Sequence, residues 1–158
     1  MKRILFFCHG NICRSPIAEY YFRHLVKEAG LESKFEVVSA ATSSEEIGNP
    51  VYPNSRRLLN NHGIDCSGHK AHRITPRDYE HYDMLIGMDQ ENLYTLKYII
   101  KDDPKKKVSL LLDHTTPEDR RHHNRDIEDP WYTRDFDIAW EDITTGCDAL
   151  FKKLIKEL

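Results

Sequence analysis

Hydrophobic residues along the chain form short apolar runs that are separated by segments with helical spacing. Four runs have the length of buried strands: Ile4–Phe7, Phe35–Ala40, Met84–Gly87 and Val108–Leu112. Strands that alternate with helices usually pair in parallel, and such a sheet is covered on both faces. The pattern therefore predicts an α/β fold, and by itself it supports three to five strands.

The predicted helices are defined by their spacing and by residues that start or stop helices. One helix places Ile17, Tyr20, Tyr21, His24 and Leu25 on a single face, and Gly30 follows as a stop. Further helices are predicted from Asn54 to His62, from Thr75-Pro76 onward, after Asp89 as a cap, and along an amphipathic C-terminal stretch with Ile143, Cys147, Leu150, Phe151, Leu154 and Leu158. Residues 42–53 are predicted to form a loop, whereas residues 113–139 are polar and contain two prolines.

Composition narrows the class of protein. A chain of 158 residues without repeats or a linker predicts one domain over residues 1–158. The net charge of -3 argues against nucleic acid or an anionic membrane as the main partner. Only four apolar residues follow Lys2-Arg3, too few for a signal peptide. Four cysteines without the spacing of a disulfide scaffold fit a reducing compartment, so a cytoplasmic location is expected.

The segment from Cys8 to Pro16 (Cys-His-Gly-Asn-Ile-Cys-Arg-Ser-Pro) lies between the first predicted strand and the first predicted helix. Ser15 is a suitable N-cap and Pro16 a suitable first helical residue. A strand, a tight loop and a helix start direct backbone N–H groups toward one point, which favours a phosphate-sized anion. Cys8 at its edge is expected to be a thiolate nucleophile.

The spacing of Cys8 and Arg14 alone is a weak signal, and a buried strand-end cysteine beside an incidental arginine is the simpler alternative. The full combination is more specific. It adds Gly10 and Asn11, residue types that tolerate a positive φ in a tight loop, and the Ser-Pro helix start.

The loop resembles the signature loop of the low-molecular-weight protein tyrosine phosphatases. Further matches follow the family's order along the chain: Ser39-Ala40-Ala41-Thr42-Ser43, Gly48, Arg56, His62-Gly63-Ile64, His69-Lys70-Ala71, Met88-Asp89 and Asp129-Pro130. The resemblance implies a three-layer sandwich around a four-stranded parallel twisted sheet. It also implies a protein-tyrosine phosphatase that forms a phosphocysteine intermediate and uses no metal or cofactor.

Three residues are expected to carry the chemistry. Cys8 attacks phosphorus, and the planar fork of Arg14 grips two phosphoryl oxygens. A phenolate leaves poorly, so a carboxyl group must deliver a proton to it. Asp126, Glu128 and Asp129 all suit that task chemically, and the Asp-Pro match to the family selects Asp129.

Other residues have supporting roles in this interpretation. The phosphate is expected to contact the loop, and Trp131 and Tyr132 to form an aromatic wall for a phenyl ring. Ser15 is expected to donate to the sulfur. The resemblance implies that His69 supports Asn11, that Ser43 and Asp89 brace the loop, and that Cys13 can form a reversible disulfide with Cys8. The expected phosphate-binding loop residues are His9, Gly10, Asn11, Ile12, Cys13 and Ser15.

The sequence leaves three other functions open. Arsenate reductases on this fold use two further cysteines, but residues 67–146 contain none. Phosphoarginine phosphatases tend to carry threonine where this chain has Ile12. Cys66, His69 and His72 offer zinc ligand types at an unusual spacing.

The expected partners are tyrosine-phosphorylated proteins, with a cognate tyrosine kinase as a further candidate, and the chain is expected to be a monomer or a weak dimer. Many relatives have a tryptophan where Ser44-Glu45-Glu46 lies here, and the two carboxylates are expected to disfavour acidic phosphopeptides.

Overall fold

A computed structural model describes residues 1–158 and shows a parallel four-stranded sheet. The strands are β1 (Lys2–Cys8), β2 (Phe35–Ala41), β3 (Met84–Gly87) and β4 (Val108–Leu110), in the spatial order β2-β1-β3-β4. Phe6 of β1 lies opposite Ser39 on one side and opposite Ile86 on the other. The fourth strand is shorter than predicted, because Leu111–His114 turn into a 3₁₀ helix.

Six α-helices accompany the sheet. They are α1 (Arg14–Glu28), α2 (Pro53–Asn61), α3 (Pro76–His81), α4 (Gln90–Ile100), α5 (Pro130–Thr133) and α6 (Phe136–Ile155), and a 3₁₀ turn covers Glu32–Lys34. The last helix begins inside the stretch 113–139, earlier than its apolar residues alone indicate, because Asp135 caps it by accepting from the N–H of Ile138. No helix combines the length and the apolar character needed to span a bilayer.

The alternation of side chains along β1 divides the core into two layers. Ile4 and Phe6 pack in a cluster with residues of α1 and α6, whereas Leu5 and Phe7 pack with Tyr79 of α3 and Leu96 of α4. Since successive side chains of a strand point to opposite faces, β1 is apolar on both sides and lies at the centre of the sheet.

The carboxyl end of β1 is the point where the strand order reverses, because β2 lies on one side of β1 and β3 on the other. In open parallel sheets the ligand crevice lies outside the strand ends at such a point. Cys8 is the last residue of β1, and Arg14 is the first residue of α1. The fold therefore brings the predicted thiol and guanidinium to the expected crevice.

Candidate active site

Residues 8–10 and 12–14 of the loop line a cavity of about 340 Å³, whereas the predicted phosphate-binding residues Asn11 and Ser15 are buried behind it. Helix α1 begins at Arg14, so the prediction that Ser15 is its N-cap is wrong: Cys13 holds that position, without a side-chain cap. Ser15 is already helical, and its hydroxyl lies 3.0 Å from the sulfur of Cys8. Because the helix starts two residues earlier than predicted, this hydroxyl does not cap the helix and contacts the thiol instead.

Asn11 has the one left-handed backbone conformation in the loop, with φ of 58°. Gly10 does not share it, contrary to the expectation from its residue type. A β-carbon at Gly10 would lie 3.4 Å from Cγ of Glu46, an ordinary van der Waals distance, so neither backbone conformation nor packing requires glycine there.

A chain of buried hydrogen bonds holds Asn11 from below. Its Nδ2 donates to Oγ of Ser15 and to Oγ of Ser39, each at 2.9 Å. Ser39 in turn donates to the carboxylate of Glu19 at 2.6 Å. Because an ionised carboxylate only accepts, it orients the chain: both serine oxygens accept from Asn11, and the Ser15 proton is left to donate to the sulfur of Cys8.

Ser39 and Glu19 were not among the predicted site residues. Ser39 is a buried polar side chain in strand β2, and Glu19 is 5% exposed in helix α1 between the buried apolar residues Ala18 and Phe22. A polar residue at a buried position needs a hydrogen-bond partner, so a polar residue within an apolar segment is the one feature of the sequence that could have indicated these roles. The partners themselves lie on three separate elements.

His69 and Ser43 contact the loop backbone. Nε2 of His69 lies 2.7 Å from the carbonyl oxygen of Asn11 and donates to it, since a carbonyl only accepts. Burial is the largest influence on His69 and lowers its pKa, which favours the neutral ring. Ser43 donates to the carbonyl of His9 at 2.9 Å.

Arg14 is 2% exposed and is held by groups from distant parts of the chain. Its Nη1 donates to Oδ2 of Asp89 at 2.7 Å and to the carbonyl of Ile127 at 2.6 Å. Burial opposes its charge, but the nearby groups of Cys8, Asp89 and Asp129 together raise its pKa. Asp89 also caps α4 through the N–H of Asn92, so it has both contacts at once.

Of the three carboxylates considered for proton transfer, only Asp129 lines the cavity with Cys8. Its Oδ2 lies 3.5 Å from Nη2 of Arg14, and its Oδ1 accepts from the N–H of Trp131. Asp126 instead accepts from the N–H of Gln90. Glu128 borders a neighbouring cavity that does not include the thiol.

The mouth of the cavity is formed by aromatic and acidic side chains. Trp131 and Tyr132 line it and are 45% and 81% exposed, and the edge of Trp131 packs against Tyr52. Two further lining residues contact each other, with Nε2 of His9 3.0 Å from Oε2 of Glu45. The complete lining consists of Cys8, His9, Gly10, Ile12, Cys13, Arg14, Glu45, Glu46, Asp129, Trp131 and Tyr132.

The two loop cysteines differ in environment although both are free thiols. Burial and the nearby charges of Cys8 and Asp129 raise the pKa of Cys13 to about 12. Cys13 therefore stays protonated at neutral pH, which makes it a poor nucleophile.

The candidate zinc ligands have other surroundings. His69 binds the loop carbonyl of Asn11, and Cys66 packs in an apolar cluster with Leu59 and Ile64. No group of three or more His, Cys, Asp or Glu side chains has an arrangement that could hold a metal ion.

Comparison with known proteins identifies the family. The model of the family described as low molecular weight phosphotyrosine protein phosphatase matches residues 3–158. The low molecular weight protein-tyrosine-phosphatase YfkJ of Bacillus subtilis is 36% identical over 157 residues, which is 99% of this chain and 98% of the relative. The human low molecular weight phosphotyrosine protein phosphatase is 37% identical over 155 residues, 96% of this chain and 95% of that protein. The chain belongs to this family.

Solved structures agree with that assignment. The crystal structure of YfkJ superimposes with a TM-score of 0.92 at 36% identity, over 99% of this chain and 96% of that chain. The crystal structure of DARP, the drosophila arginine phosphatase, superimposes with a TM-score of 0.83 at 30% identity, over 98% of each chain. The predicted fold class is confirmed: a four-stranded parallel sheet with helices on both faces.

Proposed function

We propose that this protein hydrolyses phosphotyrosine in two displacements, with Cys8 as nucleophile, Arg14 as phosphate ligand and Asp129 as proton donor. The observation that carries this proposal is the presence of all three side chains around one cavity of about 340 Å³. Family membership supports the same chemistry. We further propose that residues 1–158 act as a single catalytic domain and that small aryl phosphates are also substrates.

The first displacement transfers the phosphoryl group to sulfur. The Cys8 thiolate donates an electron pair to phosphorus, the bond from phosphorus to the phenolic oxygen breaks, and Asp129 supplies the proton to that oxygen. The Ser15 hydroxyl lies 3.0 Å from the sulfur and can donate to it before attack. Protonation of the leaving group typically contributes about 10²–10⁴-fold.

The second displacement returns the enzyme to its starting state. Asp129, now a carboxylate, accepts a proton from water, whose oxygen attacks the phosphorus of phosphocysteine. The bond from sulfur to phosphorus breaks, inorganic phosphate leaves, and the Ser15 hydroxyl stabilises the departing thiolate.

Arg14 is suited to stabilise the transferring phosphoryl group because its orientation is set in advance. Nη1 donates to Asp89 and to the carbonyl of Ile127, and these two hydrogen bonds fix the orientation of the guanidinium plane. A planar fork in a fixed orientation can bind equatorial oxygens in the transition state without reorganisation.

Trp131 and Tyr132 are proposed to flank the phenyl ring, and Ile12 adds an apolar surface to the same cavity. Phosphoarginine hydrolysis is the second candidate, because a structure named as an arginine phosphatase superimposes with a TM-score of 0.83. An aryl ring gains more than a guanidinium from these apolar walls, so phosphotyrosine is the preferred substrate in this proposal. Arsenate reduction is disfavoured because residues 67–146 provide no shuttle cysteine.

The acidic edge of the cavity is proposed to influence peptide choice. Glu45 and Glu46 line the same cavity as Cys8, so an acidic side chain next to phosphotyrosine meets like charge there. We propose tyrosine-phosphorylated proteins as partners and a cytoplasmic location, since a reducing compartment keeps the Cys8 thiol available.

The decisive experiment compares phosphotyrosine, phosphoserine and phosphoarginine peptides with the wild type, Cys8→Ser and Asp129→Ala. We expect turnover of phosphotyrosine alone, none with Cys8→Ser, and a loss of about 10²–10⁴-fold in kcat with Asp129→Ala at nearly unchanged KM. Normal turnover by Cys8→Ser would refute the mechanism, and faster turnover of phosphoarginine would move the assignment to the second candidate.

A further inference from the structure

The segment that carries Asp129 is tied to helix α6 by an ion pair outside the catalytic cavity. Nη2 of Arg125 donates to Oδ1 of Asp142 at 2.8 Å, and Nη1 donates to Oδ2 at 3.1 Å. Asp142 is 2% exposed. A buried carboxylate held by a two-point fork has a defined geometry, because both of its oxygens are directed at one guanidinium plane.

Arg125 also organises the backbone around it. Its Nε donates to the carbonyl of Arg121 at 2.6 Å, and its Nη1 donates to the carbonyl of Asp126 at 2.9 Å. Residues 125–129 form neither helix nor strand. Their position therefore depends on such side-chain contacts rather than on a ladder of backbone hydrogen bonds.

The same segment contributes to the site at two points. The N–H of Ile127 donates to the carbonyl of Met88 at 2.8 Å, and the carbonyl of Ile127 accepts from Nη1 of Arg14 at 2.6 Å. Oδ2 of Asp129 lies 3.5 Å from Nη2 of Arg14. Arg14 keeps a second acceptor outside the segment, Oδ2 of Asp89 at 2.7 Å, so a displacement of the segment would move mainly the proton donor Asp129.

We infer that Arg125 and Asp142 are positioning residues that hold Asp129 at the distance needed for proton transfer to the leaving group. The inference rests on the proposed function. Neither residue lines the cavity with Cys8, so they act through the segment they anchor. Lysine at position 125 would keep the charge but lose the fork, and the segment would then have a weaker and less directed anchor.

The test uses the dependence of kcat/KM on the leaving group, measured with aryl phosphates whose phenols range from strongly acidic nitrophenols to tyrosine-like phenols. An acidic phenol leaves without a proton, so its phosphate hardly needs Asp129. For Arg125→Lys we expect a loss of about tenfold in kcat/KM with the tyrosine-like phenol, and less than about twofold with the most acidic phenol. The plot of log kcat/KM against phenol pKa becomes steeper.

Three further variants serve as reference, control and second test. Asp129→Ala gives the slope expected when the proton donor is absent. Arg121→Lys alters a nearby exposed pair with Glu141, whose side chains are 66% and 43% exposed, and it should keep the wild-type slope. Asp142→Asn retains the shape of the partner and is expected to steepen the slope as Arg125→Lys does, so it serves if Arg125→Lys unfolds below the assay temperature.

The outcomes separate this inference from the proposed function. A folded Arg125→Lys or Asp142→Asn with the wild-type slope, or with equal losses for every leaving group, overturns the positioning role. A wild type that hydrolyses none of the aryl phosphates overturns the proposed function instead.

Discussion

Replacement of Glu19 by glutamine tests whether a buried carboxylate orients the hydrogen bonds beneath the nucleophile. Glu19 accepts from Ser39 at 2.6 Å, Ser39 accepts from Asn11 at 2.9 Å, and Ser15, which also accepts from Asn11, lies 3.0 Å from Cys8. A carboxylate cannot donate, so it imposes this direction. A glutamine amide can donate to Ser39 and permits the opposite one.

The magnitude follows from the type of bond that is lost. A hydrogen bond to a charged group contributes about 1.5–3 kcal/mol, whereas a neutral one contributes about 1 kcal/mol, so Glu19→Gln weakens this set of hydrogen bonds by about 0.5–2 kcal/mol. If that loss reaches the Ser15–thiolate contact, kcat/KM for a phosphotyrosine peptide falls about 2–30-fold. The rate at which iodoacetamide alkylates Cys8 near neutral pH should fall as well, because the reagent consumes the thiolate.

Arg23→Gln is the matched control for this variant. Nη2 of Arg23 lies 2.9 Å from Glu19 and its side chain is 50% exposed, so its removal leaves the carboxylate as the acceptor for Ser39. We expect a smaller change than for Glu19→Gln, because water can reach the site of the half-exposed guanidinium and the buried carboxylate still accepts from Ser39. Should Glu19→Gln fold normally and keep both the alkylation rate and kcat/KM of the wild type, the orienting role of the carboxylate would be refuted.

Two further predictions concern stability. Burial and then the charge of Lys153 lower the pKa of His114 to about 4, so between pH 6.5 and 4 the unfolded chain binds a proton that the folded chain does not. The free energy of unfolding should therefore decrease by at most about 3 kcal/mol as the pH is lowered from 6.5 to 4. In urea unfolding, His114→Gln should make the free energy of unfolding less dependent on pH, and an unchanged pH dependence would contradict this assignment. At Gly146 an added β-carbon would lie 2.6 Å from Cγ of Leu111, so Gly146→Ala should lose about 1–2 kcal/mol on thermal unfolding despite its better helix propensity. Gly68→Ala, with no atom within 4 Å, is the control and should change little, and equal effects of the two alanines would contradict the packing argument.

The pattern of apolar residues predicted best those elements whose residues are apolar throughout. The run Ile4–Phe7 is apolar on both faces, and the structure has it as the core of the central strand β1. Element ends were less accurate, because side chains and distant partners decide them. The strand predicted to reach Leu112 ends at Leu110, and the helix predicted to start after a Ser15 cap starts at Arg14.

The sequence by itself determined that a thiol, an arginine and a tight loop would meet at the end of the first strand, since their order along the chain and the geometry of a parallel sheet leave little freedom. Residue chemistry alone left three carboxylates as candidates, and only the Asp-Pro match to the family selected Asp129, which lines the cavity with Cys8. The sequence also did not determine which residues lie beneath the loop. Asp129 lies near Arg14, Asp126 instead contacts α4, and Glu19 supports Ser39 from a neighbouring helix. The contacts of these three carboxylates depend on packing between segments that are far apart in the chain. Distance and burial, rather than residue type, determine which group each carboxylate contacts.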